Sequence, residues 1–225
     1  EYLSDFDVSD VDIHANIERQ AAFDKPVYET KPYAITEDES LEDNTYLSYN
    51  AVIGTSVDAK LYLAFQILDY ALVMTPGAPV KQALLDAGIS TDVYSSYETS
   101  LYQPVYSIVA KNSNSKEQDR FVSVINDTLE KLVKDGINER TIEAGINYYE
   151  FKYREADYGP YPKGLMYYLT MMDSWLYDET KPFIHIEAGD TFDELKKNAR
   201  NGYFEKLIKE YLLDNNHKSI ISLVP

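Results

Sequence analysis

The side chains of this chain that could hold a metal or move a proton are few, and their spacing does not suit either task. Histidine occurs only as His14, His185 and His217. None stands in the H-E-x-x-H or H-x-x-E-H spacing that sets two imidazoles and a carboxylate on one helix face. His185 lies in Phe-Ile-His-Ile-Glu, two residues before Glu187. In a strand those two side chains share a face, but a pair cannot complete a zinc site. The chain has no Cys, which removes thiolate catalysis, disulfides and cysteine zinc sites together. No G-x-S-x-G elbow occurs, and the Gly-Ile-Asn and Gly-Pro-Tyr-Pro-Lys-Gly runs lack the glycine spacing and Lys-Ser/Thr ending of a phosphate loop. With 38 acidic residues, paired carboxylates are uninformative, and Glu37-Asp38-Glu39 and Glu42-Asp43 read as solvated loop charge. The sequence therefore assigns no catalytic residue and no metal ligand.

Binding is better served than catalysis. The chain has 21 tyrosines, each an apolar body with a polar tip suited to half-buried walls and peptide-binding surfaces. Met171, Met172 and Trp175 could line an adaptable peptide-binding wall, although at helical spacing they read first as core. Arg154 and Lys163 flank the Gly-Pro loop as candidates for a substrate carboxylate. The net charge of −17 argues against nucleic acid, because a phosphate backbone would be repelled. It favours solubility and, secondarily, basic peptides or cations. No apolar run reads as the ~20 residues of a membrane span. The start Glu-Tyr-Leu-Ser-Asp-Phe-Asp has neither a basic end nor an apolar core and lacks Met, so the chain reads as an internal piece or processed product without membrane attachment, in the cytoplasm by default.

The elements that would position these groups follow from periodicity and punctuation. Residues 1–43 read as an acidic linker or wrapping segment, with a short helix around Val11–Gln20 and a strand at Val27–Ile35 that Pro32 pushes to a sheet edge. Residues 44–225 read as one α+β domain. Tyr46–Gly54 alternates as a central strand. Thr55-x-x-Asp58 resembles a capping box opening a helix whose wide apolar face (Leu61, Phe65, Leu68 and Leu72) demands deep burial. That helix breaks at Pro76-Gly77-Ala78-Pro79 and restarts to stop at Gly88. Strands follow near Asp92–Tyr97 and Pro104–Ala110. Helices then begin at Ser115, Asn138 and Thr191, with another over Leu165–Tyr177 whose face is Leu165, Leu169, Met172 and Leu176. A further stripe of Phe204, Leu207, Ile208, Tyr211 and Leu212 precedes a closing strand at Ser219–Val224. This order predicts a mostly antiparallel sheet of about three to five strands layered with about five or six helices.

One run, Leu68-Asp-Tyr-Ala-Leu-Val-Met-Thr-Pro-Gly-Ala-Pro-Val-Lys-Gln-Ala-Leu-Leu-Asp-Ala-Gly-Ile-Ser, resembles the helix–loop–helix of the zinc metallopeptidases related to pitrilysin and insulin-degrading enzyme, and is most similar to the presequence proteases. Lys134-Asp-Gly-Ile-Asn-Glu-Arg-Thr-Ile-Glu-Ala, Gly164-Leu-Met through Ser174-Trp175, and the Leu212–Pro225 ending resemble later family segments in the same order. The resemblance spans residues 44–225 and implies the second, inactive domain of the first half of a four-domain enzyme. The zinc motif would lie in a preceding domain, so zinc is a cofactor of the parent enzyme and not of this segment. The implied partners are other domains of the same polypeptide and a peptide substrate, with no nucleic acid and no membrane. The resemblance also implies a chamber-wall site that anchors a peptide end by strand addition, at Thr75, Pro76, Gly77, Ala78 and Pro79 with Tyr94 on the neighbouring strand. A stand-alone assembly module of the same fold is the second reading. A small-molecule enzyme is the third, and no residue pattern supports it.

Overall fold

The structure is a computed structural model that describes residues 2–7 and 17–225. The predicted helix around Val11–Gln20 falls mostly outside the described residues, as does His14. Among the described residues five strands form one sheet: β1 (Val27–Pro32), β2 (Thr45–Val52), β3 (Asp92–Glu98), β4 (Val105–Ser113) and β5 (Lys218–Val224). Their spatial order is β1-β5-β2-β4-β3. β1 runs parallel to β5, and every other pair is antiparallel. The alternation in β2 acts as expected. Leu47, Tyr49 and Ala51 are buried beneath the helices, while Tyr46, Ser48, Asn50 and Val52 stay half-buried on the other face. Pro32 ends the edge strand β1, where its missing N–H leaves few ladder bonds unmade.

Helix α1 (Ala59–Asp69) begins three residues later than its capping-box pattern suggests. Thr55 opens a turn, accepting from Asp58 N at 3.2 Å. Asp58 is the cap, its carboxylate accepting from Leu61 N at 2.9 Å. The helix continues as a π turn over Tyr70–Met74, leaves helical geometry at Thr75 and restarts as α2 (Pro79–Asp86) with Pro79 in its first turn. By length and composition Ala59–Asp86 would pass for a membrane span, but 61% of that apolar window is buried inside this domain. Its apolar character serves the core.

α3 (Gln118–Asp135) follows a 3-10 turn capped by Asn114 rather than opening at Ser115. α4 (Glu139–Glu155) is capped by Asn138, as its sequence indicates. α5 (Lys163–Trp175) and α6 (Gly189–Asn198) come next, Thr191 lying inside α6 rather than at its cap. α7 (Tyr203–Leu207) runs into a π turn over Ile208–Leu213. The carbonyls freed there are not left bare. The buried Lys218 ammonium donates to Leu212 O at 2.8 Å and Leu213 O at 3.1 Å, and the Tyr49 hydroxyl also donates to Leu212 O.

One expectation fails. Met171, Met172 and Trp175 read first as core, yet Trp175 is 41% exposed and the two methionines are only half-buried, and Leu165, Leu169 and Leu176 on the same helix are 48%, 50% and 61% exposed. Periodicity says which side chains share a face; it does not say that an element exists to cover them. Here the described chain supplies none.

Gly54 makes the turn from β2 toward α1 at φ +53°, and a Cβ there would stand 2.5 Å from Leu61 Cδ2. Gly54→Ala should therefore cost about 1–3 kcal/mol, combining left-handed backbone strain with a displaced core leucine. Urea unfolding followed by circular dichroism measures this, and an unchanged midpoint would contradict it.

Candidate functional site

α1 is buried on almost every side, so apart from Lys60, which reaches Glu194 at the surface, its polar side chains end in the interior. Tyr62, Gln66 and Asp69 are spaced at i, i+4 and i+7 and share one helical face. That face meets Tyr149 and Tyr153 of α4, themselves one turn apart. The result is a seam of tyrosines between α1, α4 and α5 with two hollows that share Tyr62, Gln66 and Tyr149. The first, about 260 Å³, lies toward α5 and includes Lys152, Tyr158 and Tyr167 in its wall. The second, about 340 Å³, opens beside β3 and takes Ser95, Tyr97 and Thr99 from that strand and its end.

Hydrogen bonds fix the junction. The Tyr62 hydroxyl donates to Asp173 Oδ2 at 2.9 Å, and Thr99 Oγ1 donates to the same oxygen at 3.2 Å. Burial pushes the Asp173 carboxyl above the usual range, while the bonds from Tyr62 and Thr99 pull it back. Burial, and then the Asp173 charge, raise the Tyr62 phenol well above its ordinary value. His185 stacks on the Tyr62 ring at 3.9 Å, and its Nε2 lies 2.7 Å from Ser56 O. That contact makes Nε2 the protonated nitrogen and leaves Nδ1 buried without a partner. Burial pushes the imidazole down to about 4 against the upward pull of the Ser56 bond. His185 is thus a neutral ring that braces Tyr62, and the strand that would pair it with Glu187 does not form. The chain turns there and Glu187 is exposed.

Asp69 is the odd group. It is 7% exposed, its Oδ1 has no hydrogen-bond partner, and burial raises its carboxyl despite the nearby Ser95 and Tyr106 hydroxyls. Ser95 Oγ and Tyr106 OH are buried beside it and act on its carboxyl, while Tyr97 OH is buried without a partner.

The residues expected to anchor a peptide lie on two elements, the corner before α2 and strand β3. At the corner Pro76 and Gly77 are exposed and Ala78 is buried. The corner adjoins the tyrosine seam through Met74, whose sulfur lies 3.8 Å from Tyr149 OH. Tyr94, 45% exposed, points off the helix-free face of β3, opposite Ser95 and Tyr97. Arg154 is engaged by Glu150 at 2.6 Å, and Lys163 is exposed at the start of α5. Among the described residues no group of three or more His, Cys, Asp or Glu side chains could hold a metal ion. Sequence reasoning missed Tyr62, Asp69 and Asp173. The signal was present in the polar i, i+4, i+7 set inside an otherwise apolar helix.

A mixed five-stranded sheet layered with helices, with polar groups gathered in a cleft beside its free edge, defines an α+β domain. The profile of the Peptidase M16 inactive domain matches residues 1–149, and the chain belongs to this family. It is 41% identical over 225 residues to Protein HypA of Clostridium perfringens, covering all of this chain and 23% of that protein. It is 29% identical over 231 residues to presequence protease 1, chloroplastic/mitochondrial, of Arabidopsis thaliana, covering all of this chain and 21% of that protein. Its fold overlays the periplasmic protease PqqL of Escherichia coli with a TM-score of 0.65 at 14% identity, covering all of this chain and 23% of that one. The chain thus spans less than a quarter of the length of each of these relatives.

The His185 geometry sets a pH dependence. A ring protonating near 6.5 when unfolded but only near 4 when folded takes up a proton on unfolding between those values. Stability is then lost as pH falls through that window, by at most about 3 kcal/mol. The raised carboxyls of Asp69 and Asp173 act with the opposite sign, gaining stability as pH falls. His185→Gln, which keeps a donor for Ser56, should flatten the loss when urea midpoints are compared between about pH 7 and pH 4.5. An unchanged slope would place the acid-labile group elsewhere.

Proposed function

We propose that this chain is a non-catalytic structural and substrate-chamber domain of a larger zinc-dependent oligopeptidase that degrades unfolded peptides, and that it holds an extended peptide along β3. The observation that carries the reading is the edge itself. β3 has β4 on one side, and among the described residues no strand pairs its other side, so its outward N–H and C=O groups are free to receive a strand. Strand geometry sends alternate side chains of such a peptide to the two faces of the sheet. One set would meet Tyr94, and the other would meet the cleft. The corner Thr75–Pro79 would bound the groove beyond Tyr149. The net charge of −17 favours basic peptides.

The zinc and its activated water belong, on this reading, to another part of the polypeptide. The exposed α5 face supports such a neighbour. Leu165, Leu169, Trp175 and Leu176 form an uncovered apolar strip, and relatives more than four times as long supply chain to cover it. The same strip would suit a stand-alone assembly module. Coding sequence upstream that encodes H-x-x-E-H favours the enzyme part, whereas a start codon just before Glu1 favours the module.

Hydrogen exchange tests the edge. A saturating unfolded peptide should slow exchange at least about tenfold across Asp92–Glu98 while leaving β1, at the far edge, unchanged. Equal exchange with and without peptide would overturn the docking site. In the same samples, added zinc should give no cleavage, and stoichiometric zinc-dependent turnover would overturn the non-catalytic assignment.

A further inference from the structure

α5 turns its polar side inward and its apolar side outward. Ser174 is 0% exposed and its hydroxyl donates to Lys181 O at 2.7 Å. Asp173 accepts from the Tyr62 hydroxyl at 2.9 Å, and Thr170 lines the first hollow. On the other side Leu165, Tyr168, Leu169, Trp175 and Leu176 are 41% to 61% exposed, with Met172 half-buried among them. At 3.6 residues per turn these six positions fall within a stripe roughly 120° wide, the width that an amphipathic helix presents to a core. Lys163 and Asp173, the only charged residues of α5, lie off it. A helix with one packed face ordinarily packs the apolar one. α5 does the reverse because its inner face is committed to the hydrogen bonds of the tyrosine seam.

The spacing of the stripe gives the shape of its cover. Leu165, Tyr168, Met172 and Trp175 stand at i, i+3, i+7 and i+10, the a and d positions of two heptads, with Leu169 and Leu176 beside them. Three- and four-residue steps form the holes that receive the knobs of a second helix, whereas a strand, with its two-residue period, does not follow them. The stripe runs about 17 Å. At its C-terminal end is a groove of about 540 Å³ whose wall includes Met172, Trp175 and Leu176, with Glu179 its one charged residue. A second copy of this chain is a poor occupant. It brings another net charge of −17, and six half-exposed side chains offer on the order of 600 Å², short of the about 800 Å² each partner gives to a standard interface. A segment of the same polypeptide needs less area, because linkage raises its effective concentration. The relatives have that length: this chain covers 23% and 21% of the two curated proteins it matches. Resting on the reading above that the chain is part of a longer polypeptide, we propose that a helix with an uncharged apolar stripe, from outside these 225 residues, packs along residues 165–176. α5 is then the middle helix of a layer covered on both sides, polar contacts within and apolar contacts without.

Hydroxyl-radical footprinting read by mass spectrometry tests this on the complete gene product and on the 225-residue chain at matched dose. Trp175, the one tryptophan of the chain, and Met172 are the reporters. Their modification rates should fall at least about fivefold in the complete product, since the centre of an interface is packed like an interior. On the 225-residue chain the rates should not change with dilution. In the complete product, p-benzoylphenylalanine in place of Leu169 should cross-link within one molecule to a helical segment outside the 225 residues. A gene that encodes nothing beyond this chain would overturn both the inference and the larger-enzyme reading. A longer product in which Trp175 and Met172 react at unchanged rates would overturn the inference alone. Protection of the 225-residue chain that grows with concentration, or cross-links between two molecules, would replace the tethered helix with a second copy. Cross-links to a strand or loop would overturn the helical assignment. Should the Leu169 variant fail to fold, the footprint of the unaltered product still decides whether the strip is covered.

Discussion

One constraint organises the molecule: α1 is apolar on nearly all sides and has to be covered on all sides. Leu61, Leu63, Ala64, Phe65, Ile67 and Leu68 are each at most 5% exposed, so no single surface can satisfy the helix. β3, α4 and α6 all pack around it. Phe65 makes edge contacts with Tyr106 of β4 and Tyr211 beyond α7. Fully burying one such side chain is worth roughly 1.5–3 kcal/mol, so this helix carries a large share of what holds the sheet to the helical layer. Gly145 shows how close the approach is. A Cβ there would stand 3.1 Å from Tyr70 and 3.2 Å from Ile67, so α4 lies against the end of α1 only because that position has no side chain.

The same constraint makes the cleft. A helix enclosed on all sides encloses its polar residues as well, and Tyr62, Gln66 and Asp69 cannot all find partners within the layer that surrounds them. Tyr62 finds Asp173 on α5. Asp69 has the Ser95 and Tyr106 hydroxyls beside it, which counter part of the rise that burial imposes on its carboxyl. The groove at the sheet edge is therefore continuous with the core and not a surface accident, and its shape is held by the contacts that hold the fold.

Much of the fold was legible because its signals are local. The Pro-Gly-Ala-Pro break, the Asn138 cap and the alternation of β2 each depend on residues within a few positions of one another. The parallel pairing of β1 with β5 was not legible, because it joins residues near 27–32 to residues near 218–224 through contacts that no short pattern encodes. The exposed face of α5 escaped for a related reason: amphipathic spacing predicts a buried face, and whether a cover exists is a property of other chain segments. The cleft was least legible. Tyr62 and Asp173 are 111 positions apart, and only the fold makes them neighbours. What the sequence did carry was the polar i, i+4, i+7 set within an apolar helix, a local contradiction of the kind that marks strained or functional positions.

That contradiction bears on why a domain of the Peptidase M16 inactive family would keep such a cleft. Each unsatisfied buried polar group costs on the order of 1–3 kcal/mol, against a total stability of about 5–15 kcal/mol for a typical domain. The Ser95 and Tyr106 hydroxyls pull the buried Asp69 carboxyl down, so phenylalanine at Tyr106 or alanine at Ser95 would remove that support, whereas Tyr97 OH is buried with no partner of its own. On the proposed reading, the unpaired outer edge of β3 is where a peptide backbone would supply the missing ladder bonds.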